Sequence, residues 1–406
     1  MADRKVILSM RIAGGSLPDL YPYELFLEEG FSHVYKARLK VLSDVGYRAE
    51  DLLEVLDTRI SLVISQVLRD AATTRTRYFH GIITAAAAEG VFSSGDQHCY
   101  QYTLTIESPL ARLRYNMRNA TYYRKSPVDA LEAVLANNKI TAQFPAACID
   151  RTDFSTRLMF NQNGISDLDF IANILFTYGI SFTNTHPAAE NAVADADLVF
   201  SGGDRFPKPV LEYSDGREAP DKALFDFVRA DEKQDILKMD AFRMETSIGT
   251  DGIEVTAVYP EFNYGNKEWK IGEVGAGERS FIYNRLFSGY ERGTTAEEIN
   301  ADVQRVLTAR QRGFDLAKVN WGGKAANLLV MPGALFELAH FYGLDDESRI
   351  TAMVTAAKTH VRAVWPEKLA VKAEAAEKQV ETVEIGFSCM DYKADIDRRF
   401  CGALVK

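Results

Sequence analysis

His80 is the residue that a catalytic reading would choose first, standing in Tyr78-Phe79-His80-Gly81. An imidazole titrating near neutrality is the commonest general base, but it needs a nucleophile or an orienting carboxylate at a defined spacing. No Gly-x-Ser-x-Gly motif supplies one. A histidine in a strand beside glycine is therefore expected to be a packed ring with one hydrogen bond. His98 and Cys99 are sequence neighbours, so on a strand their side chains leave opposite faces and are badly placed to share an ion. His340 and His360 have no His or Cys partner at ligand spacing. Asp167 and Asp169 resemble a carboxylate pair, yet in the first turn of a helix both serve the positive dipole end and the free N–H groups. The glycines of Gly272-Glu273-Val274-Gly275-Ala276-Gly277 run in the wrong order for a dinucleotide fingerprint. No Gly-Lys-Ser/Thr follows a Gly-rich loop. The expectation is a protein with no catalytic residue, no cofactor and no metal site.

The bulk numbers exclude several classes of function. A chain of 406 residues fits two to four domains. Its 47 basic and 57 acidic residues give a net charge of −10, which repels a phosphate backbone at long range, so no nucleic-acid binding is expected. Cys99, Cys148, Cys389 and Cys401 stand far apart with no Cys-x-x-Cys pair and read as reduced, mostly packed thiols. No apolar run approaches the roughly 20 residues of a membrane helix, and Met1–Met10 lacks the pattern of a signal peptide. Synthesis in the cytoplasm without membrane insertion is the expectation.

The elements that hold these residues are strands first. Val34–Leu42 alternates with Ala37, Leu39 and Val41 on one face, and Arg59–Ser65 does the same with Ile60, Leu62 and Ile64. A polar tip over Arg69–Arg77 returns the chain into Tyr78–Ala85, and Tyr100–Glu107 is rich in β-branched and aromatic residues. The period then lengthens. Ser126-Pro127-Val128-Asp129 starts a helix with Val128, Leu131, Val134 and Leu135 on its apolar stripe. Ser166-Asp167-Leu168-Asp169 starts a second, ending at Gly179, where a left-handed C-cap is usual. Residues 201–224 carry the glycines and prolines of a linker. Strand patterns return at Met239–Met244 and Ile253–Val258, Thr295–Glu298 is a capping box, and the chain beyond 330 is again strand-like. Glu367–Lys378 reads as a short charged helix or a projecting hairpin.

The two strand-rich ends echo each other. Ile60–Ile64, a polar tip, Gly81–Ala86 and Tyr102–Ile106 have counterparts in Ala334–Leu338, the acidic tip at Asp345-Asp346-Glu347, Ala352–Ala357 and Val383–Phe387. Such an order predicts a duplicated antiparallel barrel. The predicted units are residues 1–107 as the first barrel and 108–200 as an α/β insertion, followed by a linker over 201–231. The second barrel is drawn from 232–260 and 300–406, with a small insertion at 261–299.

Several phrases resemble one family in order along the chain. Arg77–Thr84 resembles the phrase in the first barrel of type VI secretion spike proteins, the valine-glycine repeat protein G family. Tyr100–Thr105 followed by Leu113-Arg114-Tyr115 is similar to the strand after it, and Ala133-Val134-Leu135 with Ile140 falls at the helix beyond. Asn161–Ile171 through Tyr178-Gly179-Ile180, containing Ser166, Asp167, Asp169 and Phe170, is similar to its Ser-Asp-x-Asp-Phe helix segment. Pro332-Gly333-Ala334-Leu335-Phe336-Glu337-Leu338 and Thr351–His360 resemble its late strand pair. The residues that carry the resemblance are thus Tyr78, Phe79, His80, Gly81, Ser166, Asp167, Asp169, Phe170, Gly179, Pro332 and Gly333. Asn161-Gln162-Asn163 departs from it, standing where the family has an acidic residue, and Pro366–Val380 reads as an extra excursion. The family continues beyond its hub into an oligonucleotide-binding-type barrel and a needle, so the likeness is to the hub portion. The sequence fits a contractile phage with a separate hub protein, or a piece of a longer chain.

The resemblance implies a mainly β fold with α/β insertions, in which two related antiparallel β-barrels per chain form a pseudo-sixfold ring in a trimer. It implies a structural hub of a contractile injection apparatus, a phage baseplate or a type VI-like secretion machine, that adapts a threefold spike to a sixfold tube. Its partners would be two further copies, a spike or needle protein, the hexameric tube protein and baseplate proteins. The alternatives are a tail-tip scaffold of a non-contractile phage and a cell-wall hydrolase built on such barrels.

Overall fold

The computed structural model describes residues 6–15, 17, 19–68, 73–94, 97–189, 192–202, 209–216, 218, 220–226, 236–246, 252–258, 266–272, 282–287, 290, 294–339, 350–363 and 382–391. Cys401, His340, Glu367–Lys378 and most of the Gly272–Gly277 run lie outside them. The first part holds β1 (Val6–Ile12), β2 (Tyr21–Gly30), β3 (Lys36–Ser43), α1 (Ala49–Glu54), β4 (Arg59–Val67), β5 (Thr74–Ser94) and β6 (Gln97–Glu107). The middle holds β7 (Met117–Lys125), α2 (Pro127–Asn137), β8 (Ala142–Gln143), β9 (Arg157–Ser166), α3 (Asp167–Tyr178), β10 (Ser181–Thr185) and β11 (Asp197–Ser201). Then come β12 (Glu212–Tyr213), β13 (Lys222–Asp226), β14 (Ile236–Thr246), β15 (Gly252–Val258), β16 (Asn266–Gly272) and β17 (Ile282–Phe287). The last are α4 (Ala296–Lys318), β18 (Val319–Ala325), β19 (Leu335–Ala339), β20 (Ile350–Arg362) and β21 (Thr382–Asp391).

Thirteen strands join in one sheet, in the order β1-β4-β5-β6-β3-β2-β20-β19-β13-β14-β18-β21, with β12 attached to β5. The long strand β20 organises it. One edge of β20 carries β19 at residues 350–353 and β2 at residues 356–362, and its other edge carries β21. The apolar face follows from alternation. Ala37, Leu39, Val41, Ile60, Leu62 and Ile64 are all fully buried, as their period of two predicts. They share one core with Phe225, Phe336, Val354 and Ile385 of the C-terminal strands.

The fold is therefore mainly β with α insertions, but the expected pair of related barrels in a pseudo-sixfold arrangement is not what the chain forms. β2 gives one edge to β3 and, over Glu24–Gly30, the other to β20, and among the described residues no ladder joins it to β1. Among the described residues β1 pairs with β4 alone, and the N-terminal strands stay open. The halves also differ in connectivity. Every pairing among β1–β6 is antiparallel, whereas β13 lies parallel to both β14 and β19. The span expected as a linker thus supplies an inner strand of the sheet. Residues 252–258, expected in the second barrel, form instead the middle strand of a separate sheet, β16-β15-β17.

The middle segment builds a second core, in which Leu131, Val134, Ile171, Leu175, Phe182 and Phe200 pack together. Ile299, Val303, Val306 and Leu307 of α4 join this core. The helix starts are capped as their sequences predict. Ser126 accepts from the Asp129 N–H at 3.1 Å, and Thr295 Oγ1 accepts from the Glu298 N–H at 3.2 Å. Gly179 takes the left-handed conformation, φ 67°. Cys99 and Cys389 are buried and Cys148 is half-buried, and none of the three forms a disulfide among the described residues.

Candidate functional site: the junction of sheet and insertion

The Tyr78–Gly81 phrase lies on β5 where the large sheet meets the segment following β10. Its register against β4 pairs His80 with Ser61 and Phe79 with Leu62. Phe79 and His80 are fully buried and Tyr78 nearly so. Phe79 sits edge-on to Tyr35 at 4.9 Å and 4.7 Å from the ring of His186. Gly81 is required by close approach, since a Cβ there would stand 2.7 Å from Ile106 Cγ2 and 2.8 Å from the Glu107 carbonyl oxygen.

His80 makes more bonds than the single one expected. Its Nε2 lies 2.7 Å from the Pro187 carbonyl oxygen, which can only accept, so Nε2 carries the hydrogen. Nδ1 is then the acceptor for Ser61 Oγ at 2.8 Å, and that hydroxyl in turn accepts from the Ala194 N–H at 3.0 Å. The His80 backbone N–H donates to His186 Nδ1 at 3.0 Å, and the Tyr35 hydroxyl donates to the His80 carbonyl at 2.6 Å. Two strands of the sheet are thus joined to Pro187 and Ala194 through one imidazole and its Ser61 partner. Burial lowers the His80 pKa, against the Pro187 bond and the charges of Asp195 and Asp197. Burial holds His186 well below the ordinary imidazole value, with Arg77 and His80 acting in the same direction. Both rings are held neutral by the fold.

Arg77 and Glu29 form a buried ion pair beside them, with Arg77 Nη2 at 2.5 Å from each carboxylate oxygen. β5 and β2 are three places apart in the sheet, so the pair reaches across the intervening β6 and β3. Arg77, Glu29, Tyr78, Asn184, His186 and Pro332 line a small cleft here, with about 30 Å³ of room. Pro332 thereby comes to the same place as the Tyr78–Gly81 phrase. Gly333 turns the chain into β19 at φ 87° and donates its N–H to the Val354 carbonyl.

The other residues carrying the resemblance gather inside the insertion. Ser166 caps α3, accepting from the Asp169 N–H at 3.0 Å and donating to Asp169 Oδ2 at 2.7 Å. Asp167 does more than favour the helix dipole. It is fully buried and accepts from Arg118 Nη2 at 2.7 Å, Asn138 Nδ2 at 2.7 Å and Gln162 Nε2 at 2.8 Å. An acidic residue in place of Gln162 would set two carboxylates together, so the amide suits this node. Phe170 stacks on Tyr122 at 5.2 Å. A second buried pair, Arg157 with Asp302, ties β9 to α4, with Tyr290 donating to Asp302 at 2.9 Å and its ring 3.5 Å from the guanidinium.

His186, Glu29 and Asp302 were not singled out from the sequence. A lone His-Pro dipeptide after a strand and two acids at no motif spacing carry no local signal. Among the described residues no group of three His, Cys, Asp or Glu side chains is placed to hold a metal ion, and no helix is long and apolar enough to cross a membrane. What this arrangement can do is hold parts together: each titratable group in it is engaged by a neighbour across an element boundary.

A family model for the phage tail baseplate hub (GPD) matches residues 28–365, a span that contains both the junction and the insertion. The chain belongs to that family. No curated protein matches this hub-family chain by sequence. Among solved structures it is similar to the E. coli c3393 protein, described as a type VI secretion system component with structural similarity to T4 tail proteins gp27 and gp5. There the TM-score is 0.60 at 14% identity, covering 98% of this chain and 80% of the other. A tail protein from Neisseria meningitidis MC58 gives 0.57 at 9% identity, over 95% and 97% of the two chains. The 43 kDa tail protein of prophage MuSo2 from Shewanella oneidensis gives 0.52 at 11% identity, over 96% and 100%. At such identities the likeness is one of fold.

Proposed function

We propose that this chain is a non-catalytic structural hub of a contractile injection apparatus, working as a homotrimer that seats a threefold spike on a sixfold tube. The observation that carries the reading is the baseplate hub family match, which runs over residues 28–365 and so takes in the insertion and the large sheet from the end of β2 through β20. The site chemistry supports it. Both nitrogens of the His80 ring are engaged by structural partners, which leaves that imidazole no lone pair for a substrate proton. One core shared by N- and C-terminal strands makes a stiff body, and stiffness is what an adaptor between spike and tube needs. A cyclic trimer repeats one heterologous contact three times and closes. Its partners are the spike or needle protein, the tube protein and neighbouring baseplate proteins, and it is assembled in the cytoplasm into a tail or injection particle.

Light scattering at several concentrations, with and without a coexpressed spike protein, tests the reading. A trimer is expected at least in the presence of the spike. A monomer or dimer under both conditions contradicts it.

A further inference from the structure

Arg77 has a buried guanidinium nitrogen that its ion pair does not use. Nη2 donates to both oxygens of Glu29, while Nη1 is buried and meets no acceptor among the described residues. The residue is only 2% exposed, so bulk solvent does not serve that N–H group, and leaving a buried donor unmet is costly. The cleft that Arg77 lines has about 30 Å³ of room, more than the roughly 10–15 Å³ needed to hold one water molecule.

Charge selects what fits. Glu29 already balances Arg77, so an anion entering the cleft would face the carboxylate and a cation would face the guanidinium. A neutral acceptor suits both. We propose that the cleft is a binding site for a single ordered water, which accepts a hydrogen bond from Arg77 Nη1 and bridges β5 to the segment after β10. The residues around it complete the site. His186 uses Nδ1 to accept the His80 N–H, so its hydrogen is on Nε2 and the ring is a second donor group at the cleft. Asn184 and Thr183, also in the lining, carry oxygens suited to accept the water's own hydrogens. A buried water with three or so bonds of this kind is part of the structure and not passing solvent.

A crystal structure of the full chain at a resolution that shows ordered solvent tests the site. The expected result is a single peak about 2.9 Å from Arg77 Nη1. An empty cleft, or Nη1 bonded to a protein group, overturns the proposal. A bromide soak separates water from an anion, and an anomalous peak in the cleft also overturns it. Arg77→Lys keeps a cation opposite Glu29 but removes Nη1, so the peak should be lost, and a peak that persists shows the water is held by other groups. Should that variant fail to fold, the wild-type density and the bromide soak decide the question by themselves.

Discussion

Arg77 and Glu29 are both nearly inaccessible to water, and removing one partner strands the other as an uncompensated charge. Arg77→Met should cost roughly 3–5 kcal/mol by chemical denaturation, with much of that recovered when Glu29 is made Gln in the same chain. A loss below about 1 kcal/mol would place the pair in a wetter setting than its burial implies. His186 predicts an acid-sensitive junction. Its folded pKa is lowered, so the fold favours the neutral ring. That contribution is complete above the unfolded value of about 6.5 and is lost as pH falls below it toward the lower folded value. Glu24, whose carboxyl is pulled down to about 2 by bonds from Lys40, His360 and Arg362 against the effect of burial, stays ionised through this range. Urea midpoints at about pH 7.5 and about pH 5 should therefore differ, and less so in His186→Asn, which keeps an acceptor but does not titrate. Equal acid losses in both proteins would remove His186 from the account. His80 as a packed ring was legible from its strand and its glycine. Its partners were not, because Ser61, His186 and Pro187 reach it through tertiary contacts that no local spacing encodes.

Elements with a strong local cause were the most legible. Alternation placed the core faces of β3 and β4, and Ser-x-x-Asp and Thr-x-x-Glu spacings placed the starts of α2, α3 and α4, because caps and periodicity are satisfied within a few residues. Pairing was not legible. β2 meets β20 some 330 residues later, through pairs such as Glu24 with Arg362, and nothing in Tyr21–Gly30 names that partner. The short, apolar β13 looked like linker between prolines and glycines, and only its burial between β19 and β14 makes it a strand. The echo between the two ends reflected shared strand composition, which any half-buried sheet produces. Two predictions belong to this scale. Ser166→Ala should cost about 1 kcal/mol through loss of the α3 cap, with assembly intact at permissive temperature. A functional defect with unchanged melting would mark the position as a contact site instead. Gly81→Ala should destabilise by about 1–3 kcal/mol, since the added methyl meets Ile106 and the Glu107 backbone. Unchanged melting would mean that β6 can shift aside.

At the scale of the whole molecule, one sheet links the N- and C-terminal strands, and the insertion is fastened to it through the bonds of the neutral His80 and His186 rings. The family match places it among phage tail baseplate hubs, and it shares its fold with tail proteins. The central claim is that three copies stand between spike and tube. Cryo-electron microscopy of the assembled particle, with a chain-specific label fused to this protein, measures that directly. The account predicts three labelled copies around the axis at the junction of spike and tube. Label repeated along the tube in multiples of six, or absent from the finished particle, would contradict it.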